Sequence, residues 1–476
     1  MEVRIQMDDI KRFLCRALLA AGLALAAVGP AFAGPDSPPE TALADYVAKP
    51  DQSYSWRVHA RHDVPGAEIV ELRLVSQTWR GIEWKHRLHL VKPESIDAGA
   101  RQGFLFIGGG RWRESYDTET QTALPDDAAI FIQLARQLGT IVAVVGQVPF
   151  QPIFGFREDE LIAHTFVEYL ESGDAEWPLL LPMVKAAAKA MDATQAFARE
   201  TWQVELERFT VSGGSKRGWT TWLTGAVDPR AATLVPIVID VLNLAEHMPH
   251  QRASWGTPSE QIAPYTRRGL DDVLESEAGE ALRRIVDPYS YRHALTQSKL
   301  IVVGTNDEYF PPDSLNLYWE GLPAPKHVLY LPNQGHDAED FARLIPALAA
   351  THRLDAGGVP LPKLEWQLDR RGGTPTLCVH AEPAPLAVTL WSAVSEDTDF
   401  RDERFAPREA APEADAFVAA VELPAEGFAA VFAEALFEAE SGPYMLSTNM
   451  QLLDASGDAA FEATALEGQS AVCAAR

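Results

Sequence analysis

One stretch of this 476-residue chain has the residue types for acyl-transfer chemistry at workable spacing. It runs Phe209-Thr210-Val211-Ser212-Gly213-Gly214-Ser215-Lys216-Arg217-Gly218-Trp219. The run Phe209–Ser212 reads as a buried strand that leads into small residues, a serine and then a helix. A nucleophile elbow has this form: the serine sits on a sharp turn, and glycines flank it because side chains would clash there. A helix starting at Ser215 aims its first amides at the negative charge that develops on an attacked carbonyl. The usual pattern is G-x-S-x-G. Here Gly213-x-Ser215 fits, position 217 is Arg, and the second glycine is Gly218, so the motif is G-x-S-x-x-G. The plain alternatives are a strand–helix turn without chemistry or a phosphate loop, and the latter's G-x-x-x-x-G-K-[ST] spacing is missing.

A nucleophilic serine needs a base, and the base needs an acid to orient it. In α/β-hydrolases the chain order is Ser, acid, His. Downstream, the apolar run Leu300–Val303 ends in Gly304-Thr305-Asn306-Asp307-Glu308, and Val328–Leu331 ends in Pro332-Asn333-Gln334-Gly335-His336. His336 is therefore the best base among twelve histidines, and Asp307 the first choice of acid. Glu308, next to it, and Asp240, after an earlier strand, remain open as the acid. The oxyanion contacts are expected from Gly109 and Gly110, in Gly108-Gly109-Gly110, and from the amide of Lys216. Arg217 is expected to pair with acids. The pairs His247-x-x-His250, His59-x-x-His62 and His86-x-x-His89 lack the H-E-x-x-H pattern and an obvious third ligand, so no catalytic metal and no cofactor are expected. Trp219, Trp222 and Trp255 are candidates for a cleft wall; at helical spacing the first two read equally as core.

These residues must be carried by a sheet. Glu68–Gln77 and Trp84–Val91 alternate like half-exposed strands joined at Arg80-Gly81. Phe104–Ile107, Ile141–Val145, Phe209–Ser212, Leu234–Ile239, Leu300–Val303 and Val328–Leu331 are short continuous apolar runs, the signature of parallel strands buried on both faces. Helical periodicity falls at Asp127–Leu138, Met183–Trp202, Trp219–Ala226 and Asp337–Ala350. The expectation is an α/β-hydrolase fold: a mostly parallel eight-stranded sheet flanked by helices, over residues 34–360. Residues 34–50 read as a Pro-rich linker, and 243–287 as an insertion that caps a cleft. From Pro360 onward the segments are short and alternating, predicting an antiparallel β-sandwich over 361–476. Ala429–Ala439 fits strand or helix.

The chain has 41 basic and 67 acidic residues, net −26, and no basic patch is evident, which argues against nucleic-acid binding. Lys11, Arg12 and Arg16 precede the apolar run Ala17–Val28 and the triplet Ala31-Phe32-Ala33. This predicts a signal peptide over 1–33, cleaved near Ala33, with the mature chain periplasmic or extracellular and without a membrane span. Cys378 and Cys473 then remain, free to form one disulfide or to stay as thiols.

The motif with a basic residue directly after the serine is similar to that of secreted carbohydrate esterases such as glucuronoyl esterases. Ser212–Trp222, Asp228-Pro229-Arg230, Val235–Asp240, Met248-Pro249-His250-Gln251, Asn306–Phe310 and Pro332-Asn333-x-x-His336 resemble the PhoPQ-activated pathogenicity-related proteins. That resemblance covers most of 40–460 and implies a secreted α/β-hydrolase with a β-rich C-terminal region; it implies no particular substrate. The expectation is an exported serine hydrolase acting on an ester, amide or peptide bond of a small molecule or peptide. The alternative is a secreted binding or signalling protein on a catalytically degenerate scaffold.

Overall fold

A computed structural model describes residues 39–118, 124 and 128–466. The signal-peptide reading and Cys473 lie outside the described residues; Cys378 is disulfide-bonded.

Nine strands form the sheet that carries the motifs. They are β1 (Ser55–Val64), β2 (Ala67–Trp79), β3 (Ile82–Pro93), β4 (Gln102–Ile107), β5 (Val142–Val145), β6 (Arg208–Gly214), β7 (Ala231–Ile237), β8 (Ser298–Gly304) and β9 (Lys326–Leu331), in the spatial order β1-β2-β3-β5-β4-β6-β7-β8-β9. Each of the eight expected segments contains a strand, but the sheet exceeds the expected eight, first through β1, which pairs antiparallel with β2. Its alternation is weak because it is an edge strand with a largely exposed burial pattern. Arg80 (φ 52°) and Gly81 (φ 76°) make the two-residue β2–β3 turn with positive φ at both positions, which matches the strand twist. From β5 to β9 the pairing is parallel.

Helices Ala128–Leu138, Leu180–Phe197, Lys216–Val227 and Phe341–Ala356 cover the faces. Among the described α-helices longer than four residues and outside 243–287, two have no counterpart in the expected elements. Ala42–Ala48 falls in the stretch read as a linker, yet Leu43 and Tyr46 are buried in the main core, so residues 42–48 are part of the fold. Glu158–Ser172 follows β5. The stretch 243–287 is helical, beginning with Leu244–Trp255.

The C-terminal region departs from a self-contained sandwich. Strands β10 (Lys363–Arg371), β11 (Thr374–Glu382), β14 (Ala411–Glu413) and β15 (Ala416–Ala420) form a separate antiparallel sheet. Strands β12 (Ala387–Ser395), β13 (Ala406–Glu409), β16 (Phe428–Ala439), β17 (Gly442–Ser447) and β18 (Gln451–Asp454) instead extend the central sheet, through the Ser447–Val328 pair of β17 and β9. Among the described residues the central sheet therefore has fourteen strands. The reason is packing: Trp366, Leu377, Leu390 and Phe437 share one apolar cluster with Leu329, Leu331 and Leu348. The ambiguous segment at 429–439 is strand β16, because β12 on one side and β17 and β18 on the other take up its backbone groups, and tertiary pairing outweighs alanine's helix propensity.

Candidate active site

Strand β6 ends at Gly214 and the next helix begins at Lys216, leaving Ser215 on the turn with φ 56° and ψ −129°. Few side chains tolerate that conformation, and such strain concentrates at functional sites. The turn is held by Ser215 N donating to Ile237 O (2.8 Å) and Trp219 N to Ser215 O (3.0 Å). The displaced glycine of the motif has a steric cause. A Cβ on Gly218 would stand 2.5 Å from Ile239 Cγ2 and 2.9 Å from Gly213 O, so position 218 is where the helix presses on the sheet.

The ends of β8 and β9 bring the partners. His336 Nε2 lies 2.8 Å from Ser215 Oγ, and His336 Nδ1 lies 2.9 and 3.0 Å from the two Asp307 oxygens. Asp307 is buried and also accepts from Tyr309 N (2.8 Å). Burial pushes its carboxyl above the usual range, against the lowering effect of its bonds to His336. The other acids are engaged elsewhere. Glu308 accepts the backbone N–H of His336 (3.0 Å). Asp240 is buried, accepts from Tyr318 Oη (2.6 Å), and is pushed up to about 8 by burial. The Tyr309 ring lies 4.0 Å, centroid to centroid, from the His336 ring and limits its rotation.

The loops bearing Asp307 and His336 are both braced by the C-terminal region. Asn306 Nδ2 donates to the carbonyls of Phe400, Arg401 and Glu403. Asn333, at φ 59°, donates to Phe405 O and accepts from Phe405 N. One turn of the C-terminal region thus grips the loop bearing Asp307 and the loop bearing His336.

As the first residue of its helix, Lys216 presents an N–H with no acceptor inside the helix. A Cβ on Gly109, in the glycine run expected to supply oxyanion contacts, would stand 2.6 Å from Arg217 Nη2, so the glycine makes room for that guanidinium. Arg217 pairs with an acid, donating to Glu158 Oε1 (2.7 Å) and also to Val148 O (2.6 Å). The Lys216 ammonium stands 3.2 Å from Glu158 and 3.1 Å from Asp159. Gln151 Nε2 joins Glu158 to Gly110 O. Burial opposes ionisation of Glu158, but Arg217 and Lys216 outweigh it and hold the carboxyl at about 2. Glu158 itself has φ 50°. Beyond the expected pairing of Arg217, this clamp escaped the sequence reading; the traces it left there are two adjacent cations in an elbow and three acids opening a helix, 57 residues upstream at the nearest approach, Lys216–Asp159.

The other sequence candidates are structural. Trp222 is core, whereas Trp219 borders the hollow and donates to Val286 O. Trp255 lies under Arg401, 4.2 Å from the ring centroid. His86 bonds Ser76 and Gly146, His59 bonds Arg73, and His250 bonds Asp313.

A mostly parallel sheet with this strand order, a strained serine between strand and helix, and acid and histidine on later strand ends define the chain as an α/β-hydrolase by architecture. It belongs to the family described as PhoPQ-activated pathogenicity-related protein, which matches residues 43–401. Autocrine proliferation repressor protein A of Dictyostelium discoideum is 34% identical over 384 residues, 76% of each chain. Among solved structures, acetyl xylan esterase 1 from Thermoanaerobacterium covers 67% of this chain and 92% of its own, with 16% identity and a TM-score of 0.47. A glucuronoyl esterase from Solibacter usitatus covers 66% and 91%, with 14% identity and a TM-score of 0.39.

Proposed function

We propose that this chain is an exported serine hydrolase. The observation that carries the reading is the unbroken hydrogen-bonded line Ser215 Oγ, His336 Nε2, His336 Nδ1, Asp307. His336 takes the proton of Ser215 as Oγ attacks an acyl carbon. Asp307 fixes the tautomer and ring orientation and stabilises the imidazolium that forms. The Lys216 N–H faces the developing oxyanion, aided by the positive end of its helix. The backbone amides of Gly109 and Gly110 are the further oxyanion donors of this reading. His336 then returns its proton to the leaving group, and water, activated by the same imidazole, releases the acyl group. The bond cleaved is an ester, amide or peptide bond, and no cofactor enters. The signal peptide directs export and is removed near Ala33.

The test is labelling of the mature protein with a fluorophosphonate probe beside Ser215→Ala. Labelling that disappears in the variant supports the activated serine. A folded protein that resists the probe overturns it and favours a binding protein on the same scaffold.

A further inference from the structure

The hollow at Ser215 has a definite chemistry. Its wall is built from Trp219, Ile239, Met248, Ile262, Leu274 and Phe310 with similar neighbours, and each of these six is at most 9% exposed. Met248, Ile262 and Leu274 come from the helical insertion, so that insertion closes one side. Ser215 and Lys216 form part of the lining and His336 does not. The leaving group must depart beside the proton donor, His336 Nε2. The hollow therefore lies on the other side of the scissile bond and receives the acyl group.

Three charged side chains border it, and each is already engaged. Asp159 accepts from Tyr265 Oη (3.0 Å) and faces the Lys216 ammonium. Lys216 in turn lies between Asp159 and Glu158. Asp271 stands 3.6 Å from Arg252 Nη1. A charged acyl group would lose its water without finding a free counter-charge, which is costly in an apolar site. The cavity measures about 60 Å³. An apolar protein cavity of about 150 Å³ accommodates benzene, so this one suits two to four carbons.

Resting on the serine hydrolase reading, we infer that the substrates are esters of short, uncharged aliphatic acids, with the insertion setting the length limit through Met248 and Leu274. The leaving alcohol stays outside the hollow and is not limited by it.

The experiment measures kcat/KM of the full mature protein on p-nitrophenyl acetate, butyrate, hexanoate, octanoate and hemisuccinate. Butyrate and hemisuccinate both carry four-carbon acyl groups and differ in the terminal carboxylate. The expected result is acetate or butyrate highest, with octanoate and hemisuccinate each lower by at least about tenfold, the discrimination one or two methylenes or an unpaired polar group normally gives. Met248→Ala raises the hexanoate-to-acetate ratio by about tenfold; an unchanged ratio in a folded variant overturns the role of the insertion. If that variant does not fold, the wild-type profile carries the test. A probe-labelled Ser215 with octanoate or hemisuccinate preferred, or with no ester turned over, overturns this inference and leaves the hydrolase reading standing. Absence of both labelling and turnover overturns both.

Discussion

Two histidines of this chain each bond a buried aspartate and have a serine within reach, and they do opposite things. His336 uses both ring nitrogens on different partners, Nδ1 on Asp307 and Nε2 on Ser215, and its side chain is 18% exposed. His250 turns the same nitrogen, Nε2, toward Asp313 (2.8 Å) and Ser254 (3.5 Å), and the pair is 2% and 0% exposed. Thr464 caps the second Asp313 oxygen, and the Phe461 ring packs edge-on against His250. A ring nitrogen already bonded to the acid cannot also take the serine's proton, and no substrate can reach a sealed site. The first arrangement is suited to transfer. The second pins the insertion helix Leu244–Trp255 to the segment after β8 and to the chain near 464. Residue types alone do not make a triad; the use of two separate nitrogens and access to a cleft do.

That contrast can be broken most severely at the first site. Ser215→Ala and His336→Ala are each expected to lower kcat/KM by about 10⁴-fold or more with the urea unfolding midpoint unchanged, while Ser254→Ala leaves probe labelling intact. Labelling lost in Ser254→Ala would erase the distinction. At the second site the effect falls on stability. Asp313→Ala leaves His250 buried without its partner and should cost about 3–5 kcal/mol in urea unfolding; a loss under about 1 kcal/mol would mean that the pin is not structural.

A smaller effect sharpens the description of the first site. Glu158→Gln removes the charge that holds Lys216 and Arg217, and a displaced oxyanion contact should lower kcat by about 10²-fold with little change in KM. A change confined to KM would place Glu158 in ground-state binding instead.

The third acid gives a pH signature. The carboxyl of Asp240 is raised from 3.8 to about 8 in the folded protein. Its contribution to stability is complete below about pH 4 and is lost as pH rises through about 8, because the unfolded chain releases that proton first. Asp240→Asn should flatten the fall in stability across that window. A wild-type-like slope in chemical denaturation at several pH values would show that Asp240 is already ionised when folded.

Much of the site was legible because strand ends put it there. Apolar runs followed by Ser215, Asp307 and His336 need only the rule that parallel strands deliver their C-terminal ends to one edge. Choosing Asp307 over Glu308 and Asp240 was not legible, since all three sit at or next to strand ends and only side-chain direction separates them. The clamp on Lys216 was hidden for a similar reason: the acids at 158 and 159 read as a solvated helix start until the chain folds them against the elbow. The bracing of Asn306 and Asn333 by the turn at 400–405 joins positions about 70 to 100 residues apart through backbone carbonyls, which leave no trace in residue identity.

By itself the sequence determined the order of strands and helices, the elbow and the identity of its serine, because burial periodicity and turn chemistry are local properties. Tertiary structure alone decided three things. It joined β12, β13, β16, β17 and β18 to the central sheet, since apolar faces on both sides of residue 360 bury against each other. It set Arg217 against Gly109, since that guanidinium occupies the space a side chain there would need. It placed one His–Asp pair beside Ser215 at a partly exposed position and sealed the other, since exposure and the direction of a ring nitrogen exist only after packing.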